Sequence, residues 1–227
     1  NKLILGDNKL VMNSLINNEG AEKINLIYID PPFFSGNDYS TYNDKWKDGI
    51  DSYLKYMQER LILMRELLAK NGSIYIHLDY HIVHYIRPIL DKIFGYGNLR
   101  REIIWNTGSN ISGFKSKANN WIRQHDVILF YIKSLNNFVF NKQYRKWATE
   151  QLKEFKYRDK ESGAYKIYKK SGKEKRQYLN ENPGIPIGDI WNDIRSFQYS
   201  SQAAIEGLGY DTQKPEALLK RIILASS

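Results

Sequence analysis

The chain contains no cysteine in 227 residues. That absence excludes disulfide staples, thiolate zinc sites and every mechanism built on a cysteine nucleophile. No apolar run approaches ~20 residues, so a membrane-spanning helix is excluded too. The N-terminus lacks the basic-then-apolar pattern of a secretory signal, and the expected compartment is the cytoplasm. There is no internal repeat. The length suits one large α/β domain with a modest insertion.

Positive charge is present in excess and unevenly spread. The net charge is +9, and 13 basic against 5 acidic side chains fall between Lys142 and Tyr178. That one segment therefore carries nearly the whole surplus. It also holds Tyr144, Trp147, Phe155, Tyr157, Tyr165, Tyr168 and Tyr178. Lysines neutralise phosphates and aromatic rings stack on bases, so the mixture suits a nucleic acid. A solvated lysine-rich insertion has the same composition, and the segment alone does not choose between them.

Hydrophobic periodicity outlines the rest. Residues 2–7 (KLILGD), 25–30 (NLIYID) and 72–79 (GSIYIHLD) are expected strands that each end in an acid. A helix is expected over 9–17, and an amphipathic one over 52–70, ended by Asn71-Gly72. A further helix covers 81–94, with Pro88 kinking it or starting it afresh. Residues 101–106 and 126–133 are two more strands, and 137–143 a short one. Residues 180–188 form a turn-rich linker, 189–194 return to core, and Pro215 opens a helix within 212–226. Alternating strands and helices predict an α/β fold with a mostly parallel sheet covered on both faces.

One run stands out: Asp30-Pro31-Pro32-Phe33, directly after the apolar residues 26–29. A buried strand delivers an acid to its carboxyl end, the edge at which open parallel sheets bind ligands. The prolines stiffen the loop and remove two backbone donors, leaving carbonyl acceptors. Acceptors beside an aromatic face suit a planar ring that bears an amino group. Asp30 and the Pro31 carbonyl can each accept one N–H, and Phe33 can stack on the ring. A plain turn, with Asp30 capping the next element, is the competing reading of these four residues.

The company of this run decides between them. Gly6-Asp7-Asn8, Asp30-Pro31-Pro32-Phe33, Gly72-Ser73 leading to Asp79, Phe94-Gly95 with Asn98 and Ile103-Ile104-Trp105, His125-Asp126 leading to Lys133-Ser134, Gly188-Asp189-Ile190-Trp191, and Thr212-Gln213-Lys214-Pro215 occur in that order. The ordered set resembles the β-class amino-methylating DNA methyltransferases of restriction–modification systems, over nearly the whole chain. The resemblance implies a Rossmann-like S-adenosylmethionine-dependent fold with permuted motif order and a small basic recognition insertion. It divides the chain into a catalytic core over 1–134, a target-recognition insertion over 135–186 and a return to the core over 187–227.

By the same resemblance the chain is a site-specific enzyme that methylates the N6 amine of an adenine flipped from duplex DNA. The implied catalytic residues are Asp30, Pro31, Pro32 and Phe33. Asp7, Asn8, Thr212, Gln213, Lys214 and Pro215 are implied to line the pocket of S-adenosylmethionine. Candidates for DNA contact are Lys115, Lys117, Arg123, Arg145, Lys146 and Trp147. Double-stranded DNA is the implied partner, with a homodimer and a restriction endonuclease as further partners. Methylation at cytosine C5 needs the missing cysteine and is excluded. Cytosine-N4 methylation uses the same pocket logic, although its enzymes more often carry serine where Asp30 stands, and it remains the alternative. A non-catalytic DNA-binding relic or subunit is the rival of a different class.

The family's glycine-rich loop, which cradles the methionine end of the cofactor, is not found here. The expectation is that the sequence is incomplete, lacking strands between the 2–7 and 25–30 strands, and that residues 1–227 alone bind cofactor weakly. His77, His81 and His84 are close in sequence, and His81/His84 have a possible metal spacing. With no supporting cluster they are expected at a cleft edge or on the surface, and no metal is expected. His125 is expected to start a strand, and Trp105 and Trp191 to pack in the core. Basic residues around Trp121 are a further candidate DNA contact.

Overall fold

A computed structural model describes residues 3–36, 44–46, 48–108, 117, 119–181, 184–197, 203–210 and 212–227. The chain divides into two compact units, one formed by Asn1–Asn141 with Asp189–Ser227 and the other by Lys142–Gly188.

The first unit opens with helix α1 (Asn8–Glu19), strand β1 (Ile24–Ile29), helix α2 (Gly49–Leu67) and strand β2 (Leu68–Leu78). Helix α3 (Val83–Phe94), strand β3 (Leu99–Asn106) and strand β4 (His125–Ile132) follow. The second unit contains β5 (Tyr144–Arg145), α4 (Thr149–Leu152), β6 (Tyr157–Asp159), β7 (Gly163–Lys170), β8 (Lys173–Tyr178) and β9 (Ile185–Pro186). The chain then returns to the first unit with β10 (Ile190–Trp191), α5 (Ala203–Glu206) and α6 (Glu216–Ser226).

The sheet of the first unit has five strands in the order β1-β2-β4-β3-β10. Pairing is parallel at β1/β2 and β3/β10 and antiparallel on both sides of β4. Four strands thus run one way and β4 alone is reversed, which agrees with the expected mostly parallel α/β sheet. Strand alternation sorts the side chains onto two faces. Ile74, Ile76, Leu78, Val127, Leu129 and Tyr131 join Tyr53, Met57 and Leu61 of α2 and Val83, Ile86 and Leu90 of α3 in one buried core. The opposite face carries Tyr28, Tyr75, His77, Asp126, Phe130 and Trp105, as the cross-strand pairs require. Tyr75 stacks on Phe130 there, and its hydroxyl meets Ser226 of α6 at 2.7 Å. Trp105 and Trp191 are buried, as expected. Among the described residues no helix is long and apolar enough to cross a membrane.

Several local expectations are corrected. The described part of the 2–7 segment is not a strand. Leu3 and Leu5 are fully exposed, and β1 forms the edge of the described sheet without them. Asn71-Gly72 does not end α2: Leu68 already has extended backbone and pairs with Ile24, so helix passes straight into strand. Gly72 serves close approach instead. A Cβ there would lie 2.8 Å from Leu68 Cγ and 3.0 Å from the carbonyl oxygens of Ala69 and Asn25. Pro88 lies inside a single helix rather than starting one. Residues 137–143 form no strand; their backbone is tied by single bonds, Val139 N–H to Asn71 O and Asn141 N–H to Ala225 O.

In the second unit, β6, β7 and β8 form an antiparallel sheet, and β5 pairs with β9. Tyr157, Tyr165 and Tyr178 lie opposite one another on one face. On the other side Trp147 packs edge-on against Phe155 at 5.2 Å between ring centroids. Between β7 and β8 the chain turns at Ser171 and Gly172 with φ of 53° and 76°. Two consecutive left-handed residues make the type I′ turn that suits the twist of a two-residue hairpin.

Candidate active site

The carboxyl end of β1 carries Asp30, and the parallel β2 brings Asp79 to the same edge. The reversed β4 begins at that edge, so His125 and Asp126 arrive beside them from the other chain direction. Antiparallel insertion of one strand thus converges three carboxylates that the sequence spreads over nearly a hundred residues.

Asp30 Oδ2 accepts from Lys214 Nζ at 2.5 Å, and the same ammonium donates to Thr212 O at 3.0 Å. Lys214 Nζ also lies 5.9 Å from the centroid of the Phe33 ring. Three of the implied residues, Asp30, Phe33 and Lys214, are therefore brought together around one cation. Thr212 contributes its carbonyl. Gln213 turns elsewhere, donating to Glu206 O and accepting from the Leu208 N–H, both at 3.0 Å. Pro215 caps α6 with extended backbone.

The loop after Asp30 is held from both sides. The buried Tyr53 hydroxyl donates to Pro32 O at 2.6 Å. Asp44, also buried, accepts from the Phe34 N–H at 3.0 Å and from the Ser35 N–H and hydroxyl at 2.8 and 2.6 Å. These bonds keep Phe34 at φ 57°, a conformation most side chains avoid. Neither Tyr53 nor Asp44 was singled out by sequence reasoning.

Beneath Asp30 lies His77, expected at a cleft edge or on the surface; it is fully buried instead, on the floor of this edge. Its Nδ1 is 3.6 Å from Asp30 Oδ1 and 3.0 Å from the Tyr28 hydroxyl, and its Nε2 is 3.1 Å from Asp126 Oδ2. Phe33 and Trp105 flank the ring, with centroids 5.6 and 5.3 Å away. Burial pushes the Asp126 carboxyl up, but the hydrogen bond and charge of His77, with Arg123 behind them, outweigh it and hold the group below the ordinary aspartate value. Burial, aided by the charges of Asp30 and Asp126, raises the Tyr28 hydroxyl well above its ordinary value and keeps it a neutral donor. Arg123 binds Asp126 and reaches Asp79 at 3.3 Å, and Asp79 accepts from or pairs with His81 Nδ1 at 2.7 Å. Among the described residues no cluster of potential ligands is arranged for a metal ion.

Asp7 caps α1, accepting from the Lys9 and Leu10 N–H groups at 2.9 and 3.2 Å. The Leu10 hydrogen bond is the first cause of its lowered pKa. The buried Arg60 of α2 binds Asp7 Oδ2 at 2.9 Å and Asn8 Oδ1 at 2.6 Å, with its guanidinium 3.4 Å from the Tyr56 ring centroid. Arg60 was also missed, because in sequence it is one polar residue on an amphipathic helix.

The DNA-contact candidates scatter. Lys115 lies outside the described residues, whereas Lys117 and Trp121 are exposed. Arg123 belongs to the Asp79–Asp126 network. Arg145 and Lys146 are exposed in the second unit, and Trp147 is half-buried against Phe155.

Comparison with known proteins assigns the chain to a family. A family model described as DNA methylase matches residues 24–227. The type II methyltransferase M.EcaI of Enterobacter cloacae is 29% identical over all of this chain and 59% of its own length. The DNA adenine methyltransferase YhdJ of Escherichia coli is 28% identical over 91% of this chain and 62% of its own length. The chain thus spans about three fifths of these relatives, and 46% of the type III StyLTI Mod subunit of Salmonella typhimurium. Among solved structures, the M1.HpyAVI–SAM complex superposes with a TM-score of 0.55 at 17% identity, over 98% of this chain and 74% of that one. At that identity the likeness speaks for the fold alone. With the match of the family model over almost its full length, the chain belongs to the DNA methylase family.

Proposed function

We propose that the protein transfers a methyl group from S-adenosylmethionine to the N6 amine of adenine in duplex DNA. The observation that carries this reading is the Asp30 carboxylate, set at the carboxyl end of β1 beside the Phe33 ring and binding an ammonium group. An amine that is to be methylated meets there the acceptor it needs. The Asp30 carboxylate takes one N–H of the amine, which draws the nitrogen lone pair out of ring conjugation. Phe33 stacks on the base, which must leave the duplex to arrive. Pro32 O is occupied by Tyr53, so the second acceptor of this loop is the Pro31 carbonyl.

What supports the cofactor is the chemistry of the same edge. S-adenosylmethionine supplies an electrophilic methyl on a sulfonium cation. The site already balances one cation, the Lys214 ammonium, between a carboxylate and an aromatic face. Asp7 and Asn8, steadied by Arg60, and residues 212–215 would hold the group. Positioning and electrostatics then account for most of the acceleration, with no covalent enzyme intermediate.

YhdJ is by name a DNA adenine methyltransferase, M.EcaI a type II methyltransferase, and the StyLTI Mod subunit part of a type III restriction-modification enzyme. They support adenine in DNA as substrate and a restriction endonuclease as partner. Labelled methyl transfer to duplex DNA tests the reading. Activity should vanish in Asp30→Ala, and digestion of the product should release N6-methyladenine. Recovery of N4-methylcytosine, or transfer that survives Asp30→Ala, would overturn it.

A further inference from the structure

The second unit carries an element that the sequence did not distinguish from its basic surroundings. Every residue from 167 to 176, the outer part of the β7–β8 hairpin, is exposed. The stretch holds Lys169, Lys170, Lys173, Lys175 and Arg176 against one acid, Glu174. Register divides these charges unequally. Tyr168 lies opposite Lys175, and Lys170 opposite Lys173, on one face. On the other, Lys169 lies opposite Glu174 and Ile167 opposite Arg176.

The second face is balanced. Lys169 faces an acid, and Arg176 turns to the root of the hairpin, 4.9 Å from the Tyr165 centroid and 3.9 Å from Asp159. The first face contains three lysines and no acid. Like charges placed directly opposite weaken a ribbon, and Lys170 and Lys173 stand in that relation next to the turn. Such a face repels itself until an anion lies on it. The type I′ turn keeps the ribbon regular to its tip, so the ammonium groups are presented in a fixed order rather than on a loose loop.

We propose that the β7–β8 ribbon docks on duplex DNA through the face bearing Tyr168, Lys170, Lys173 and Lys175. The three ammonium groups lie on backbone phosphates, and Glu174 on the opposite face is turned away from them. The inference rests on the DNA reading above and adds to it the element that grips the duplex. A two-stranded ribbon is narrow enough for the major groove of B-form DNA, whereas the deep, narrow groove of A-form RNA does not admit it. A membrane surface calls for an apolar wedge, and this face has only Tyr168. Contacts to phosphates position the protein without reading sequence.

The test uses the full chain and a fluorescent duplex oligonucleotide, followed by anisotropy across a salt series. In the combined variant Lys170→Ala, Lys173→Ala and Lys175→Ala, affinity should fall about tenfold or more, and the slope of log affinity against log salt should flatten by about 2 to 3. The corresponding triple arginine variant should restore both, which separates charge from folding. Equal affinity and slope in wild type and alanine variant would overturn the ribbon while leaving the DNA reading intact. A wild-type chain with no salt-dependent duplex binding would overturn both. An alanine variant that loses only RNA or phosphatidylserine vesicle binding, and keeps duplex binding, would likewise overturn the proposal.

Discussion

His77 stands between two carboxylates, with Nδ1 3.6 Å from Asp30 and Nε2 3.1 Å from Asp126. Each imidazole nitrogen can make one hydrogen bond. Its Nε2 is within hydrogen-bond reach of Asp126, and its Nδ1 meets the Tyr28 hydroxyl at 3.0 Å. The ring thereby fixes the floor under Asp30 without competing for it.

Removing that floor should have two readouts. His77→Ala leaves Tyr28 and Asp126 short of partners in a buried place and should cost about 2–4 kcal/mol in urea unfolding. His77→Gln, whose amide can still donate toward Asp126, should recover part of the loss. In methyl-transfer assays kcat should fall while KM for DNA stays constant, because the ring acts on Asp30 and not on the duplex. A change confined to KM would show that His77 has another role.

Asp126 should make the protein sensitive to acid. Its folded-state pKa is depressed, so its contribution to stability is full above the unfolded value and is lost as pH falls through the folded one. The decline should set in below about pH 4. Asp126→Asn should be less stable at neutral pH by about 3 kcal/mol, since it leaves Arg123 without its carboxylate partner in a largely buried place. Its stability should also change less between neutral and acidic buffer. Thermal melts at the two pH values decide the matter, and an equally steep decline in the variant would refute it.

Arg60 joins α2 to the start of α1. Arg60→Lys keeps the charge but not the two-nitrogen fork that reaches Asp7 and Asn8 together, so it should behave much like Arg60→Ala. Both should be measurably less stable in chemical denaturation. Calorimetry should show weaker S-adenosylmethionine binding in both, and wild-type binding in the lysine variant would contradict the assignment.

Gly72 is constrained by space rather than by backbone angle. Gly72→Ala should destabilise the fold by about 1–3 kcal/mol, because two of the three crowding atoms are backbone carbonyl oxygens that cannot swing away. Chemical denaturation with an unchanged m-value is the expected signature.

Much of this was legible beforehand. The strands ending at Ile29, Leu78 and Ile132 follow from apolar runs, and Asp30 stood out because Pro31 and Pro32 come directly after it. His77 was misjudged for an instructive reason. The segment Ser73-Ile74-Tyr75-Ile76-His77-Leu78-Asp79 alternates, and the alternation puts His77 on the Tyr28 face as surely as it puts Ile76 in the core. Pairing partners were what sequence alone lacked, since β4 enters reversed and brings Asp126 to His77 from 49 residues away. Arg60 and Asp44 were invisible because a single ion pair and a loop clamp leave no periodic trace. The end of α2 was misplaced because Asn71-Gly72 has the composition of a helix stop, while the strand pairing of Leu68 with Ile24 overrides it.

That last junction has a consequence for how the protein tolerates change. Residues 49–78 pass from α2 to β2 without a connecting loop, and they carry Tyr53, Arg60 and His77. A connection of zero length has no slack with which to absorb an added or deleted residue. One insertion between Leu67 and Leu68 would rotate the helix by about 100° relative to the strand. Tyr53 would leave Pro32 and Arg60 would leave Asp7 at the same time, while His77 kept its place. Length variation among homologues should therefore collect elsewhere in the chain and leave this junction at constant spacing.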